Sequence, residues 1–313
     1  MPDLFNSVVV VGAGAVGSFF GAVLARAGHR VTLIGRPAHV KAIDRQGLRL
    51  EMAGRVDVVH LGATVDMAAV READLVLFCV KSTDTDAVAR EMAPHLNERA
   101  IVMSLQNGVE NAPTLARHVR QMVVAACVYA ATALPEPGVV KHFGGGNLVI
   151  GALTTRTDTI DKTLKDLAAV FGSAGAKVTI SDDVMADLWS KLVMNCAYNA
   201  ISALGQVSYG QLVAVPEVRA IQEAVVREVV ALAAAENVRL ELEPSLKAME
   251  NIAVAMPGQL SSTAQDLARR KPSEIDHLNG FVARRGRELG IATPVNATLH
   301  ALVKLIESGY GGG

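Results

Sequence analysis

Short apolar runs alternate with stretches of helical period in the first half of the chain. A β-branched run covers residues 8–11, a helical pattern covers residues 15–27, and a second β-rich run covers residues 31–34. A strand, a helix and a strand in that order predict a βαβ unit with parallel strands. A hairpin is predicted at residues 48–59. Five further strands are predicted at residues 75–80, 101–105, 122–128, 148–150 and 178–180.

The pattern changes after residue 180, where helical stretches follow one another without strands between them. These stretches cover residues 182–204, 216–237, 244–256, 276–289 and 294–307. Ser181 and the two aspartates after it suit a turn and a helix N-cap, so we place a domain boundary there. A chain of 313 residues is long enough for two cores. The prediction is an α/β domain with a doubly wound sheet at residues 1–181, followed by an all-α domain at residues 182–313.

Composition and charge narrow the classes of function. Hydrophobic residues make up 50% of the chain and charged residues 19%, which is typical of a folded globular protein. A net charge of -1 provides no basic field, so no nucleic-acid partner is expected. The sequence has no signal-peptide pattern and no apolar stretch of the ~20 residues that span a membrane, so a cytoplasmic location without membrane contact is predicted. The three cysteines are widely separated and predict neither a disulfide framework nor a metal site.

A glycine-rich turn joins the first predicted strand to the first predicted helix. It reads Gly12-Ala13-Gly14-Ala15-Val16-Gly17, a GxGxxG sequence. Gly12 suits a tight turn, Gly14 allows a pyrophosphate to approach the backbone, and Gly17 allows the helix to pack on the strand. The N–H groups at the start of the helix would add anion affinity. The alternative is glycine used for packing alone, but the flanking strand and helix favour a Rossmann-type dinucleotide site.

Three polar positions that follow predicted strands bear on the cofactor. The second strand ends in Ile34-Gly35-Arg36, where NAD-binding chains carry a carboxylate, and the guanidinium favours the 2′-phosphate of NADPH. Lys81 and Asn107 follow two later strands, at the sheet edge where ligands bind in such folds. The alternatives are a solvated arginine, a lysine that turns into solvent, and ordinary turn chemistry at the Asn-Gly pair. We interpret all three as candidate cofactor-binding residues.

One strongly apolar helical stretch carries a polar stripe. Lys191, Asn195 and Asn199 occupy positions i, i+4 and i+8, which share one face of a helix. An ammonium and two amides are costly to bury unless a polar group such as a ligand lies opposite. The alternative is a lysine that reaches the surface and two amides that close helix contacts. If the stripe faces a ligand, Lys191 can donate a proton to a carbonyl oxygen as hydride arrives at the carbon.

These motifs together resemble those of the ketopantoate reductase family, also called 2-dehydropantoate 2-reductases. The resemblance spans nearly the whole chain. It rests on VVVGAGAVG near the N-terminus, VKSTDT at residues 80–85, LQNGVE at residues 105–110, KLVMNCAYN at residues 191–199, and SSTAQD with SEIDHLNG within residues 261–280. It implies NADPH as the cofactor and a small 2-oxo acid as the substrate, with 2-dehydropantoate reduced to pantoate in pantothenate biosynthesis.

The resemblance also implies roles for individual residues. Lys191 would act as the general acid, and Glu274 would hold the substrate hydroxyl and help to orient the lysine. The implied substrate-binding residues are Asn195, Asn199 and Ser262. The implied cofactor-binding residues outside the glycine turn are Arg36, Lys81 and Asn107. Without the resemblance, Glu274 also reads as a carboxylate in the first turn of a helix begun by Pro272-Ser273, where it would suit the helix dipole.

Two other functions are compatible with these residues. A related NADP-dependent dehydrogenase could act on another 2-hydroxy or 3-hydroxy acid, because a few pocket residues decide which acid fits. An NADP-sensing protein could keep the fold without catalysis, although Lys191, Asn195 and Glu274 together argue against it. The apolar helices of the second half could supply a homodimer interface.

Overall fold

The structure, a computed structural model, describes residues 5–311. The chain divides into two compact units, Met1–Val184 and Met185–Gly313. The division falls shortly after the boundary predicted at residue 181, near the start of a long helix. An α/β first part and a helical second part were predicted, and both are confirmed.

The described residues of the first unit contain a ten-stranded sheet. Its strands are β1 Ser7–Val11, β2 Arg30–Ile34, β3 Leu48–Met52, β4 Arg55–Val59, β5 Gly62–Thr64, β6 Leu75–Phe78, β7 Ile101–Ser104, β8 Val123–Glu136, β9 Val139–Ala152 and β10 Val178–Ile180. Six neighbouring strands pair in parallel, in the order β5-β2-β1-β6-β7-β8. Counted along the chain, these six follow the 3-2-1-4-5-6 order of doubly wound dinucleotide-binding sheets. The predicted sheet is therefore confirmed.

The central strands form the core of the first unit. β1 and β6 are buried along their whole length, and their residues are apolar apart from Ser7. A continuous apolar run is what a parallel strand needs when both of its faces are covered. The helices of this unit are α1 Ala15–Arg26, α2 Pro37–Gln46, α3 Thr85–Met92, α4 Asn111–His118 and α5 Asp158–Ser173. The hairpin predicted at residues 48–59 is confirmed as β3 and β4.

The largest departure from the predicted strands lies in β8 and β9. Strands were predicted at residues 122–128 and 148–150, whereas β8 and β9 each run for 14 residues and pair antiparallel. The run Gly144-Gly145-Gly146 lies inside β9 and has positive φ angles at all three residues. Because this run shows no alternation of apolar and polar residues, its strand conformation comes from pairing with β8. The prediction of two short strands was wrong here.

The described part of the second unit is helical. Its helices are α6 Val184–Gly205, α7 Tyr209–Val213, α8 Pro216–Ala235, α9 Leu242–Ala255, α10 Ser262–Ala268, α11 Asn279–Leu289 and α12 Pro294–Ser308. The five predicted helices correspond to α6, α8, α9, α11 and α12. α7 and α10 were not predicted, because five and seven residues are too few to show a helical period. α11 begins three residues later than predicted, since Ile275–His277 forms a 3₁₀ turn before it.

A partly buried polar contact fixes the start of α12 against α8. The Glu228 carboxylate accepts hydrogen bonds from the backbone N–H groups of Val295 (2.8 Å) and Asn296 (2.9 Å), and from Nδ2 of Asn296 (2.8 Å). A carboxylate is favourable at a helix N-terminus, where N–H groups lack partners within the helix. Among the residues that the structure describes, no helix combines the length and apolar character needed to cross a membrane.

Candidate active site

The glycine turn between β1 and α1 is a close-packed piece of backbone. The N–H groups of Gly12 and Ala13 both donate to the carbonyl oxygen of Ile34 at the end of β2, at 3.1 and 2.9 Å. Gly12 has a φ of +97°, and a Cβ there would lie 2.6 Å from the backbone nitrogen of Val80. A Cβ on Gly17 would collide with the carbonyl oxygen of Gly12. These contacts explain why the turn requires glycine at both positions.

Gly14 differs from its two glycine neighbours because the space beside it is open. A Cβ built at Gly14 would have no atom within 4 Å, and the residue is exposed. Gly14 is also the N-cap of α1, which has no side-chain cap and no acidic residue in its first turn. The first N–H groups of α1 are therefore available to an anion, with the positive end of the helix dipole behind them. The turn fits the pyrophosphate of a dinucleotide, because a side chain at Gly14 would fill the space that the phosphates need.

The backbone segment that carries Arg36 packs close to this turn. It follows Gly35 at the end of β2 and is the N-cap residue of α2, with an exposed side chain. A Cβ on Gly35 would lie 2.8 Å from the Cβ of Ala13, so the segment before Arg36 packs directly on the glycine turn. A guanidinium in this place can hold a phosphate by charge-assisted hydrogen bonds. Its assignment to the 2′-phosphate stays a prediction.

Lys81 and Asn107 lie at the carboxyl ends of two adjacent strands. Lys81 is exposed and precedes the 3₁₀ turn Ser82–Asp84 after β6, and Asn107 is half-buried after β7. Because β6 and β7 pair in parallel, the loops that follow them emerge at the same edge of the sheet. The glycine turn after β1 emerges beside them, since β1 pairs in parallel with β6. The structure thus brings the predicted cofactor residues of the first unit to one edge.

A buried hydrogen-bond network ties the loops after β6 and β7 together. The Asn111 amide donates to Oγ of Ser82 (2.9 Å) and to the carbonyl oxygen of Asn107 (2.5 Å), and it accepts from Oγ1 of Thr85 (2.8 Å). Nε2 of Gln106 donates to Oγ1 of Thr85 (2.7 Å) and to the carbonyl oxygen of Val80 (3.0 Å), two residues after the end of β6. Such a network fixes the backbone just before Ser82 and the backbone at Asn107. The side-chain amide of Gln106 thus bonds within the protein.

The polar stripe of α6 lies on an unbroken helix, as predicted. Lys191 and Asn195 are half-buried, whereas Asn199 is buried. Leu192 and Val193, which lie between Lys191 and Asn195 in the sequence, are buried at 1% and 0% exposure. Successive members of the stripe are about 6 Å apart along the helix axis. The structure thus places one ammonium and two amides along this face, with Asn199 the most deeply buried of the three.

Three buried side chains hold the backbone of α6 beside this stripe. Nδ2 of Asn279 donates to the carbonyl oxygen of Cys196 (3.1 Å), and Nε2 of Gln222 donates to that of Ala197 (3.2 Å). Oγ of Ser261 donates to the carbonyl oxygen of Asn199 (3.1 Å). The three donors come from three other segments of the second unit, so α6 is fixed from several sides at the level of its asparagines. The sequence analysis missed these donors, because nothing local links them to α6.

Ser262 and Glu274 lie in the loop region between α9 and α11. Ser262 is exposed and begins α10, directly after Ser261. Glu274 is half-buried and precedes the 3₁₀ turn Ile275–His277, so the alternative of a carboxylate within the first turn of a long helix does not describe it. The residue before it is anchored, because Glu307 accepts hydrogen bonds from the backbone N–H (2.8 Å) and Oγ (2.7 Å) of Ser273. The roles of Ser262 and Glu274 stay predictions.

Cys196 and His142 are two further side chains whose groups are capable of nucleophilic or acid chemistry. Cys196 is fully buried, and burial raises the pKa of its thiol, which keeps it in the unreactive protonated form. His142 stacks on Phe19 with ring centroids 4.4 Å apart. Its Nε2 is buried without a hydrogen-bond partner among the described residues.

Two family descriptions match the chain in succession. The sequence model described as ketopantoate reductase PanE/ApbA matches residues 8–155, and the one described as ketopantoate reductase PanE/ApbA C terminal matches residues 183–307. The 2-dehydropantoate 2-reductase of Halobacterium salinarum is 36% identical over 303 residues, which cover 96% of this chain and 98% of the relative. The enzyme of the same name from Vibrio cholerae is 33% identical and covers 97% of this chain and 99% of its own length.

Solved structures with the same architecture extend this likeness. The crystal structure of a PanE/ApbA family ketopantoate reductase from Ralstonia eutropha JMP134 is 52% identical, with a TM-score of 0.89, and covers 97% of this chain and 99% of its own. A D-mandelate dehydrogenase solved with NADH and anilino(oxo)acetate is 25% identical, with a TM-score of 0.90 and the same coverage. The likeness thus includes two proteins that are named for different substrates, a ketopantoate reductase and a D-mandelate dehydrogenase.

Proposed function

This chain belongs to the ketopantoate reductase family, and we propose that it reduces 2-dehydropantoate to pantoate with NADPH, as a step of pantothenate biosynthesis. The observation that carries the proposal is the match of both family models, which together cover residues 8–155 and 183–307. The relatives named 2-dehydropantoate 2-reductase align over nearly the full length of the chain. The chain is an oxidoreductase with a nicotinamide cofactor.

The first unit supplies the cofactor site in this proposal. The glycine turn and the start of α1 bind the pyrophosphate through backbone N–H groups. Arg36 binds the 2′-phosphate, because a guanidinium can form two hydrogen bonds to a phosphate and no carboxylate stands at the end of β2. Lys81 and Asn107 face the nicotinamide side. When bound, the cofactor supplies a hydride for the carbonyl carbon of the substrate.

The second unit supplies the acid that completes the reduction. As the carbonyl carbon is reduced, negative charge develops on its oxygen, and Nζ of Lys191 donates the proton that this oxygen takes up. The C=O double bond becomes a C–O–H group, and Lys191 recovers its proton from water. Asn195, Asn199 and Ser262 hold the substrate by hydrogen bonds. Glu274 accepts a hydrogen bond from the substrate hydroxyl and helps to orient the lysine ammonium.

The assignment of residues 1–181 to cofactor binding and of residues 182–313 to substrate binding and catalysis belongs to the same proposal. So do a cytoplasmic location and a homodimeric state. Cell fractionation tests the location, and light scattering of the purified chain at several concentrations tests the dimer.

A second candidate is reduction of an aromatic 2-oxo acid. It is favoured by the D-mandelate dehydrogenase structure, whose TM-score of 0.90 is as high as the 0.89 of the ketopantoate reductase from Ralstonia eutropha. The two candidates share hydride transfer to a 2-oxo acid and differ in the side chain of the substrate, which a few pocket residues can change.

The deciding experiment is NADPH consumption by the purified chain with 2-dehydropantoate, benzoylformate and several aliphatic 2-oxo acids. We expect kcat/KM for 2-dehydropantoate to exceed that for every other acid by about tenfold or more, which corresponds to roughly 1.4 kcal/mol of discrimination. A clear preference for benzoylformate would favour the second candidate. Binding of NADPH without turnover of any acid would contradict both candidates and favour a sensor.

A further inference from the structure

The mechanism leaves unused a buried histidine near the cofactor residues. His39 lies in the first turn of α2, three residues after Arg36, and is 4% exposed. Both of its ring nitrogens are engaged. Nδ1 is 2.9 Å from the backbone nitrogen of Gly138, and Nε2 is 3.1 Å from Oγ of Ser18 on α1. A side chain on α2 thus connects to two separate elements.

The directions of these hydrogen bonds follow from the backbone partner. The N–H of Gly138 can only donate, so Nδ1 of His39 accepts and the ring proton resides on Nε2. Nε2 therefore donates to Oγ of Ser18, which leaves the serine proton free to point to the carbonyl oxygen of Ala13, 3.3 Å away. Burial lowers the pKa of His39, which agrees with a neutral ring. The chain of bonds ends inside the glycine turn.

The other end of this series of hydrogen bonds lies in a close-packed turn at Gly138. Gly138 has a φ of +79° in the turn between β8 and β9, and its carbonyl oxygen accepts from the N–H of Arg49 at the start of β3 (2.9 Å). A Cβ on Gly138 would lie 2.9 Å from the Cβ of Ala42 on α2. The ring of His39 is therefore held between a fixed turn and α1.

This arrangement sets where Arg36 stands. The carbonyl oxygen of Arg36 accepts from the N–H groups of His39 (2.9 Å) and Val40, so the two residues share the first turn of α2. Locking the His39 ring to Ser18 locks that turn to α1 and, through Ala13, to the glycine turn. The pyrophosphate and the 2′-phosphate of NADPH are joined by one ribose, so both can be bound only when their protein anchors are correctly spaced.

We propose that His39 is a positioning residue that sets the distance between Arg36 and the glycine turn, and that its link through Ser18 determines the preference for NADPH over NADH. The inference rests on the proposed function, in which Arg36 binds the 2′-phosphate. A histidine that only stabilised the fold would affect both cofactors alike. The ratio of the two dissociation constants therefore separates a positioning role from a structural one.

The test compares four variants of the full chain by titration with NADPH and with NADH. Ser18→Ala and His39→Asn remove the link to Ala13, while the asparagine oxygen can still accept from Gly138. His39→Gln places an amide N–H where Nε2 lies and keeps the link to Ser18. Arg36→Ala reports on the 2′-phosphate itself. Thermal melting of each variant shows that it is folded.

We expect Ser18→Ala and His39→Asn to weaken NADPH binding by about fivefold to tenfold, as the loss of one hydrogen bond implies, with the dissociation constant of NADH nearly unchanged. His39→Gln should retain the wild-type ratio. If both link-breaking variants change the two constants equally, or neither, while Arg36→Ala selectively weakens NADPH, the positioning role is wrong and the cofactor assignment stands. If Arg36→Ala alters neither constant, the assignment of Arg36 to the 2′-phosphate is wrong, and the inference that rests on it is wrong as well. Should His39→Asn not fold, Ser18→Ala decides the question.

Discussion

The glycine turn of the first unit and the polar face of α6 in the second are built on opposite principles. In the proposed function the turn binds through backbone N–H groups, and it needs side chains to be absent, most clearly at Gly12 and Gly17, where a Cβ would meet backbone atoms. In the same proposal the face of α6 acts through side chains, beginning with Lys191. A backbone site is sensitive to added atoms, whereas a side-chain site is sensitive to the chemical identity of a few residues.

The two regions also differ in where their supports come from. The glycine turn is held by the ends of adjacent strands, such as Ile34 and Val80. The supports of α6 are Gln222, Ser261 and Asn279, which lie 25, 62 and 83 residues from the carbonyl groups they bind. The glycine turn is thus fixed largely by the strands beside it, whereas α6 is fixed by partners from several segments of the second unit.

The largest effect is expected at the side-chain site. Lys191→Ala should lower kcat by about 10²–10⁴-fold, because the developing negative charge loses its proton donor. The dissociation constant of NADPH should stay unchanged, since the glycine turn is in the other unit. Steady-state rates and a binding titration measure the two quantities. Lys247→Ala, an exposed lysine on α9, is the matched control and should keep the wild-type rate.

A glycine pair tests the backbone site. Gly17→Ala should lower the free energy of unfolding by about 1–3 kcal/mol, because its methyl group meets the carbonyl oxygen of Gly12 in a packed region. Gly14→Ala should leave that free energy nearly unchanged, since no atom lies within 4 Å of the new Cβ, and should weaken NADPH binding. Urea denaturation and cofactor titration check both. Equal stability losses in the two variants would contradict the distinction between packing and ligand access.

Substitutions of two buried amides, one in each region, compare how much each amide contributes to the free energy of unfolding. Asn111 makes three hydrogen bonds at the edge of the sheet, so Asn111→Leu should cost about 1–3 kcal/mol of unfolding free energy. Gln222 donates a hydrogen bond to the backbone of α6, and we expect Gln222→Leu to cost only about 0.5–1.5 kcal/mol. Denaturation monitored by circular dichroism measures both values. The reverse order would show that the bond to α6 is the stronger support.

The smallest effect concerns pH. Burial lowers the pKa of His39 in the folded chain, so the folded state binds this proton less readily than the unfolded state. The contribution of the neutral His39 ring to the free energy of unfolding is therefore complete above the unfolded pKa of about 6.5. It is lost as pH falls below that value, by at most about 1.4 kcal/mol per pH unit. Denaturation at about pH 7.5 and about pH 5.5 should show a smaller loss for His39→Gln than for the wild type. An identical loss would remove His39 from the acid sensitivity.

Local pattern was sufficient for the elements that depend on near neighbours. β1, the glycine turn, α1 and β2 follow one another within residues 7–34, and each was predicted from the period of its apolar residues or from its glycines. The stripe of Lys191, Asn195 and Asn199 was visible for the same reason, because a spacing of four places residues on one helix face. Glu274 was identified through the family resemblance.

What only the tertiary structure decided is held by partners far apart in the chain. The full length of β9 depends on pairing with β8, since its glycine run carries no strand pattern. The bond of His39 to Gly138 spans 99 residues, and that of Asn279 to Cys196 spans 83. The period of the apolar residues indicates which face of a helix or strand is buried, and this information is contained in the amino-acid sequence. Which buried polar group meets which partner depends on how the elements pack, because each group must find its hydrogen bond wherever the fold brings a partner within reach.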